Sequence, residues 1–276
     1  MANRPVAIIT GASSGIGEAT TRLLSEKRYR VVLAARRLER LEALAQELRA
    51  AGGQALTVET DVANLDDLQN LVQTTLKEFG EIDVLFNNAG IGRIDWLERL
   101  DLVEDIDAQI QINLTAVIQL TRLVLPHMLA RRSGHIINMS SVAGLLPVPT
   151  YSVYTAAKYG VRGFTEALRR ELKPSGIHVS GLFPGGVNTA FREESGRVQR
   201  SRIRTPDFLR LSAEDVAQAV WSLIRRPRRA LVMPWPMKMA AGINGLFPGL
   251  VERVIEVAFA RKARELGSGE AGERGS

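Results

Sequence analysis

Six short apolar runs rich in β-branched residues recur along the chain, at 6–10 (VAIIT), 31–35 (VVLAA), 55–60 (ALTVET), 82–86 (IDVLF), 135–139 (HIINM) and 177–183 (IHVSGLF). Segments of helical spacing separate them. Leu38, Leu41, Ala45 and Leu48 repeat with that period, as do Leu65, Leu68, Val72 and Leu76, and 103–131 and 151–173 read as longer helices. A strand that is apolar at nearly every position has to be covered on both faces. Alternation of such strands with helices therefore predicts an α/β fold, a single doubly wound parallel sheet with right-handed crossovers. With 276 residues the chain can bury such a core unaided, and the absence of cysteine excludes disulfides, thiolate nucleophiles and zinc–cysteine sites.

Charge narrows the function only a little. The formal net charge is +6, but the cations fall in separate groups at Arg36–Arg40, Arg192–Arg210 and Arg225–Arg229, and no nucleic-acid recognition motif accompanies them. The expectation is no nucleic-acid partner. His127, His135 and His178 lie in different elements without ligand-like spacing, so no metal is expected. The first residues run straight into a strand without an apolar leader, which sets a cytoplasmic location as the expectation.

The first run leads into Thr10-Gly11-Ala12-Ser13-Ser14-Gly15-Ile16-Gly17, followed by a helical pattern. A glycine-rich turn between strand and helix lets backbone approach a pyrophosphate and sets that anion at the positive end of the helix dipole. The second run ends at Ala35, where a binder of unphosphorylated dinucleotides would carry a carboxylate for the ribose 2′-hydroxyl. Arg36 and Arg37 follow instead, and guanidinium groups suit a 2′-phosphate. The cofactor expected is NADP(H); the bland alternative is a solvated basic helix start.

Tyr154 and Lys158 stand four apart in a helical stretch and so share a face. A phenol with an ordinary pKa of about 10 becomes a useful proton carrier when a nearby cation stabilises its anion. Of the three neighbouring tyrosines only Tyr154 has a lysine in that position, since Tyr151 faces Thr155 and Tyr159 faces Gly163. Ser141 leaves the 135–139 strand at its carboxyl end, where ligands gather in open α/β sheets. Asn113 is a polar residue in an apolar helical stretch, and Asn87-Asn88-Ala89-Gly90 follow the fourth strand.

Together these motifs resemble the compact branch of the short-chain dehydrogenase/reductase family over about residues 5–232: TGASSGIG at 10–17, Asp61-Val62, NNAG at 87–90, Asn113, Ser141, YTAAK at 154–158, and Pro184-Gly185 with Thr189. The resemblance implies a Rossmann-like sheet of about seven strands in the order 3-2-1-4-5-6-7. It implies that Tyr154 is the general acid/base, that Lys158 lowers its pKa and holds the nicotinamide ribose, and that Ser141 orients the substrate oxygen. Asn113 would position a water linking Lys158 to solvent. Asp61 would contact the adenine, Asn87 its ribose, and Thr189 the nicotinamide carboxamide, with Gly11, Ser13, Ser14, Gly15, Ile16, Gly17, Val62, Ala89, Gly90, Pro184, Gly185 and Val187 also about the cofactor. The implied activity is interconversion of a carbonyl and a secondary alcohol on a small, apolar molecule, by a homodimer or homotetramer. A cofactor-binding sensor without turnover is the competing reading.

Two segments stand apart from the alternation. Residues 185–210 are polar and irregular and read as a substrate lid. Residues 231–250 hold one charge, Lys238, yet their prolines and glycines argue against a membrane span. Met233, Met237 and Met239 with Trp235 and Phe247 suit either a substrate pocket or a subunit contact, and contact of 231–260 with a membrane surface is a third use. The division expected is one Rossmann-like domain over 1–232, a helical extension of it over 233–265, and a disordered tail at 266–276.

Overall fold

The computed structural model of the chain describes residues 4–188 and 209–257. Thr189, most of the 185–210 segment and the 266–276 tail lie outside the described residues. Seven parallel strands form one sheet in the order β3-β2-β1-β4-β5-β6-β7, as the family pattern predicts. They are β1 Val6–Thr10, β2 Arg30–Ala35, β3 Gln54–Glu59, β4 Val84–Asn87, β5 Gly134–Met139, β6 Ile177–Pro184 and β7 Ala230–Met233. The crossovers are α1 Gly15–Glu26, α2 Leu38–Ala50, α3 Leu65–Phe79, α4 Leu102–Arg131, α5 Ser152–Glu171 and α6 Ala213–Arg225. Beyond β7, α7 spans Trp235–Leu246, and 248–257 are helical again.

Alternate residues of each strand face opposite layers, so one apolar run serves two cores. Ala7, Ile9, Val31 and Leu33 pack with Leu24 of α1, Leu41 and Ala45 of α2, and Val216, Val220 and Leu223 of α6. Val6, Ile8, Val32 and Ala34 pack on the other side with Leu68 and Leu71 of α3, Leu120, Val124 and Met128 of α4, and Leu168 of α5. By length and composition α4 could cross a bilayer. Its inner side is spent on this second core.

Strand order reverses between β1 and β4, which opens the crevice above their carboxyl ends. The fourth strand starts later than its apolar run, because the Asp83 carboxylate turns inward to accept the Val6 amide at 2.7 Å and pairs with Arg131 at 2.8 Å. The seventh strand, four residues long, was not legible as a strand: it sits between an arginine cluster and the proline-rich segment and has one neighbour, β6.

A titratable group is built into the opposite rim. His135 of β5 is 5% exposed and its Nε2 lies 2.9 Å from the Ser180 hydroxyl. That hydroxyl donates to the Arg228 carbonyl at 2.5 Å, so it accepts from Nε2–H. Burial, with the neighbouring His178 ring, pushes the His135 pKa down to about 3. The unfolded chain takes up this proton near its ordinary value of about 6.5 while the folded chain does not, so stability falls as pH drops from about 6.5 towards 3. Denaturant titration at pH 7 and pH 5 is expected to show up to about 2 kcal/mol more loss for the natural chain than for His135→Gln.

Candidate active site

The glycine turn is folded by close contacts. Gly11 and Gly15 have φ of +67° and +54°, in the left-handed region. A Cβ on Gly17 would lie 2.1 Å from the Gly11 carbonyl oxygen, so only glycine lets α1 come this near to the end of β1. No side chain caps the first turn of α1, which leaves its amides available to an anion. The guanidinium of Arg37 crosses the turn, donating from Nη2 to the Ser13 hydroxyl at 2.9 Å and the Ser14 hydroxyl at 3.0 Å. Arg36 is exposed beside it. These residues fit a dinucleotide: an uncapped helix end and backbone without obstructing side chains.

The turn is braced from β4 by groups outside the motif glycines. The Thr10 hydroxyl accepts the amides of Asn88 and Ala89 at 2.9 and 3.0 Å, and the Asn88 side chain donates to the Thr10 carbonyl at 2.8 Å. Sequence reasoning gave neither residue a cofactor role; the threonine before the first glycine and the asparagine doublet were the available signals. Thr10, Val62, Asn87, Ala89 and Ile112 line a small cleft beneath this brace. Asp61 holds the start of the next turn, its carboxylate accepting the Ala63 amide at 3.0 Å. Asn87 turns its side chain inward, donating to Thr121 at 3.0 Å and Asn138 at 2.9 Å. Asn138 donates in turn to Thr165 at 3.0 Å, linking β4, β5 and α5 through a buried polar chain.

Ser141, Tyr154 and Lys158 meet at the carboxyl end of β5. The Ser141 side chain caps the short turn Val142–Gly144, accepting the Ala143 amide at 3.1 Å, and lies near enough to the Tyr154 phenol to influence its ionisation. Its hydroxyl also lies 3.5 Å from the Pro184 carbonyl of β6. Lys158, 3% exposed, donates from Nζ to the Met139 carbonyl at 3.1 Å, and that nitrogen stands 5.6 Å from the centre of the Tyr154 ring. Gly144 is what lets the turn seat against α5, since a Cβ there would come 2.7 Å from the Lys158 carbonyl oxygen.

The expected lowering of the Tyr154 pKa by Lys158 is not found in the structure. Burial pushes the phenol up to about 12, opposed by the nearby Ser141 hydroxyl, and burial brings Lys158 down to about 8. Desolvation wins because the ammonium lies over the ring and is engaged by a backbone carbonyl.

The start of α4 supplies a ladder that grips the loop after β4. It is not a regular helix as its sequence pattern suggests: Leu102–Asp107 and Gln111–Thr115 are π-helical, a distortion common at functional sites. Asp105, Gln109 and Asn113, spaced four apart and all buried, point at that loop. Asn113 donates to the Ile91 carbonyl at 2.8 Å and accepts its amide at 3.0 Å; Gln109 accepts the Arg93 amide at 2.9 Å; Asp105 pairs with the Arg93 guanidinium at 3.4 Å. A Cβ on Gly90 would lie 2.7 Å from Asn113 Oδ1 and 3.7 Å from Lys158 Nζ, so the ladder comes close to Lys158. On the far side Thr150, a β-branched residue at φ +69°, turns the chain into α5 just before Tyr151, whose ring meets that of Tyr154 edge-on at 6.2 Å. Sequence gave no sign of that strained residue.

The remaining wall comes from β6, β7 and α7. The Gly185 amide donates to the Met233 carbonyl at 2.7 Å, and a Cβ on Gly185 would come 3.2 Å from Pro234 and 3.7 Å from Met237. Val187 pairs with Leu211, which returns the chain to its point of departure. Asn244 of α7 donates to the Leu145 carbonyl at 3.3 Å. Met233 and Met237 thus face the protein, whereas Trp235, Met239 and Phe247 are 71%, 53% and 61% exposed.

Gly17→Ala is expected to weaken nicotinamide-cofactor binding at least tenfold, because the added methyl pushes α1 off the Gly11 carbonyl; titration of cofactor fluorescence checks this.

The chain matches the family model described as short chain dehydrogenase over residues 5–200. It is 44% identical over 189 residues to the 3-oxoacyl-[acyl-carrier-protein] reductase of Synechocystis sp., covering 68% of this chain and 76% of that protein. A short chain dehydrogenase/reductase of Burkholderia phymatum, solved in complex with NAD, superposes with a TM-score of 0.81 at 29% identity, covering 90% of this chain and 95% of that one. A short-chain dehydrogenase of Sphingobium yanoikuyae in complex with NADPH gives 0.76 at 29% identity with the same coverages. With the sheet order, the glycine turn and the Ser141–Tyr154–Lys158 crevice already in place, these likenesses identify the chain as an oxidoreductase belonging to the short-chain dehydrogenase family.

Proposed function

We propose that this protein interconverts a carbonyl and a secondary alcohol with NADP(H), Tyr154 exchanging the proton. The observation that carries the reading is the meeting of a serine hydroxyl, a phenol and a buried ammonium in one crevice, beside a glycine turn shaped for a dinucleotide. When bound, the nicotinamide supplies or accepts the hydride and, in its oxidised form, adds positive charge near the phenol.

The chain's own groups manage the oxygen. As a carbonyl is reduced, negative charge grows on its oxygen, and hydroxyl donors held in place beforehand stabilise that charge without reorganising. Ser141 and Tyr154, neighbours at the carboxyl end of β5, provide two such donors. The raised pKa keeps the phenol protonated at neutral pH, which suits it to giving a proton to the new alkoxide. Lys158, brought towards neutrality but still mainly cationic there, offsets the phenolate that remains. Asn113 fixes the loop beside Lys158 and so holds the ammonium's surroundings in register.

The preference for NADP(H) rests on Arg37 lying across Ser13 and Ser14, with Arg36 alongside and Ala35 where a carboxylate would stand. A hydrogen bond to a charged group contributes about 1.5–3 kcal/mol, or roughly ten- to a hundredfold in affinity. Arg37→Ala is expected to reduce the ratio of NADPH to NADH affinity by that factor, measured by titrating both cofactors. Equal affinity of the natural chain for the two would end the assignment.

The substrate reading is a small apolar carbonyl or alcohol, supported by the apolar stretch Leu145–Val148 beside Ser141. NADPH consumption over a panel of apolar ketones tests it, and a 3-oxoacyl thioester belongs in that panel given what the Synechocystis relative is called. Tyr154→Phe is expected to lower turnover at least about a hundredfold while leaving NADPH affinity nearly unchanged. Binding without turnover across the panel would favour a sensor instead.

A further inference from the structure

Asp105, Gln109 and Asn113 of α4 are 3%, 0% and 0% exposed, and all three are engaged with the loop that follows β4. In a regular α-helix of 3.6 residues per turn, side chains four apart drift steadily around the axis. A π turn, closed by i→i+5 bonds, is wider, so the two at Leu102–Asp107 and Gln111–Thr115 reduce that drift and keep the three in a row. The row binds Ile91 at both backbone groups, Arg93 at its amide and Arg93 again at its guanidinium. Gln109 is the most telling member. Its Oε1 accepts the Arg93 amide at 2.9 Å, while its Nε2 is buried with no hydrogen-bond acceptor. A buried amide left half satisfied is costly, and an apolar residue would pack the helix without that cost. What the glutamine adds over an apolar residue is its hold on the loop.

That loop lies over Lys158. Gly90 comes so near the ammonium that a Cβ on it would stand 3.7 Å from Nζ, and Ile91 and Arg93, the residues gripped, follow directly. From the other elements around Nζ, β5 presents the Met139 carbonyl, α4 presents the uncharged Asn113 behind the loop, and Tyr154 of α5 is the titratable group beside it. We infer that Gln109 and the Asp105–Arg93 pair are positioning residues for the proposed reaction, clamping the Gly90–Arg93 loop as a cover that keeps water from the Lys158 ammonium. The inference rests on the reading of Lys158 as the cation that offsets the phenolate.

Loosening the clamp lets the loop lift and water reach Nζ. Burial alone brings Lys158 down to about 8, so hydration returns it towards its ordinary value of 10.5. A hydrated ammonium is also screened and offsets a neighbouring phenolate less well. Turnover therefore falls. The glycine turn is braced separately, through Thr10 and Asn88, so cofactor binding is left in place.

The test reads Lys158 directly. The full chain has six lysines, few enough for carbon-13 labelling of their Cε atoms to resolve each by nuclear magnetic resonance, with Lys158→Met assigning the signal. In a pH titration the natural chain is expected to show Lys158 ionising near 8. Gln109→Leu, and independently Asp105→Asn, are each expected to raise that midpoint by about one pH unit or more. Asp105→Asn is the milder change, since an amide oxygen can still accept the Asp101 amide. Both variants are expected to lower kcat for ketone reduction at pH 7 by about tenfold or more, with KM for NADPH within about twofold and far-UV circular dichroism unchanged. Gln111→Leu is the control: its side chain donates to the Ala63 carbonyl at 3.2 Å, away from the loop, and its loss is expected to leave the Lys158 midpoint in place. An unshifted midpoint in both clamp variants, or an equal shift in Gln111→Leu, would overturn the inference and reduce the row to packing of α4. The titration needs no turnover, so a chain that reduces no ketone counts against the reaction while the midpoint still decides the clamp.

Discussion

The Thr10 hydroxyl holds the two halves of the sheet together at the point where strand order reverses. By accepting the amides of Asn88 and Ala89 it fixes the end of β4 against the end of β1. A parallel sheet has no hairpin to tie neighbouring strands at their carboxyl ends, so the register of the crevice depends on side-chain hydrogen bonds of this kind. On one side of the brace lies the glycine turn, with α1 drawn in by Gly17. On the other, the loop after β4 runs onto the Asp105–Gln109–Asn113 ladder and thence to Lys158. The glycine turn and Lys158 thus lie at the two ends of one braced stretch of backbone.

Burial sets the electrostatics of that span. Lys158 is almost wholly enclosed and survives as a cation because a backbone carbonyl accepts from it, and Tyr154 is held in its neutral form by the same lack of water. Desolvation thus moves the two groups in opposite directions, to about 12 and about 8, each towards its uncharged state.

Much of this was legible in the sequence because it repeats or because it is spaced. The apolar runs gave the strands, since burial on both faces leaves no polar positions to confuse the pattern, and Tyr154 and Lys158 were found because a helix of known pitch converts a spacing into a shared face. What escaped was decided by contacts between distant segments. β7 is too short for periodicity and owes its state to β6. The π-helical turns of α4 depend on the loop they grip, not on their own residues, and Thr150 is strained by the packing of its neighbours. Asn138 and Thr165 look like any polar residues in an apolar strand and an amphipathic helix until Asn87 is placed between them. The direction of the Tyr154 shift also required coordinates, because a neighbouring cation and an enclosing wall act oppositely and only geometry says which prevails.

The backbone pairing of Val187 with Leu211, reinforced by the Asn188 amide on the Leu211 carbonyl at 2.8 Å, closes a ring: the chain leaves β6 and re-enters at the same spot before α6. Doubling the length of such an excursion costs only about 0.6 kcal/mol in closure entropy. Insertions and deletions can accumulate there over generations while β6, α6, Ser141, Tyr154 and Lys158 stay in place, which makes this ring the natural site for divergence among descendants of one scaffold.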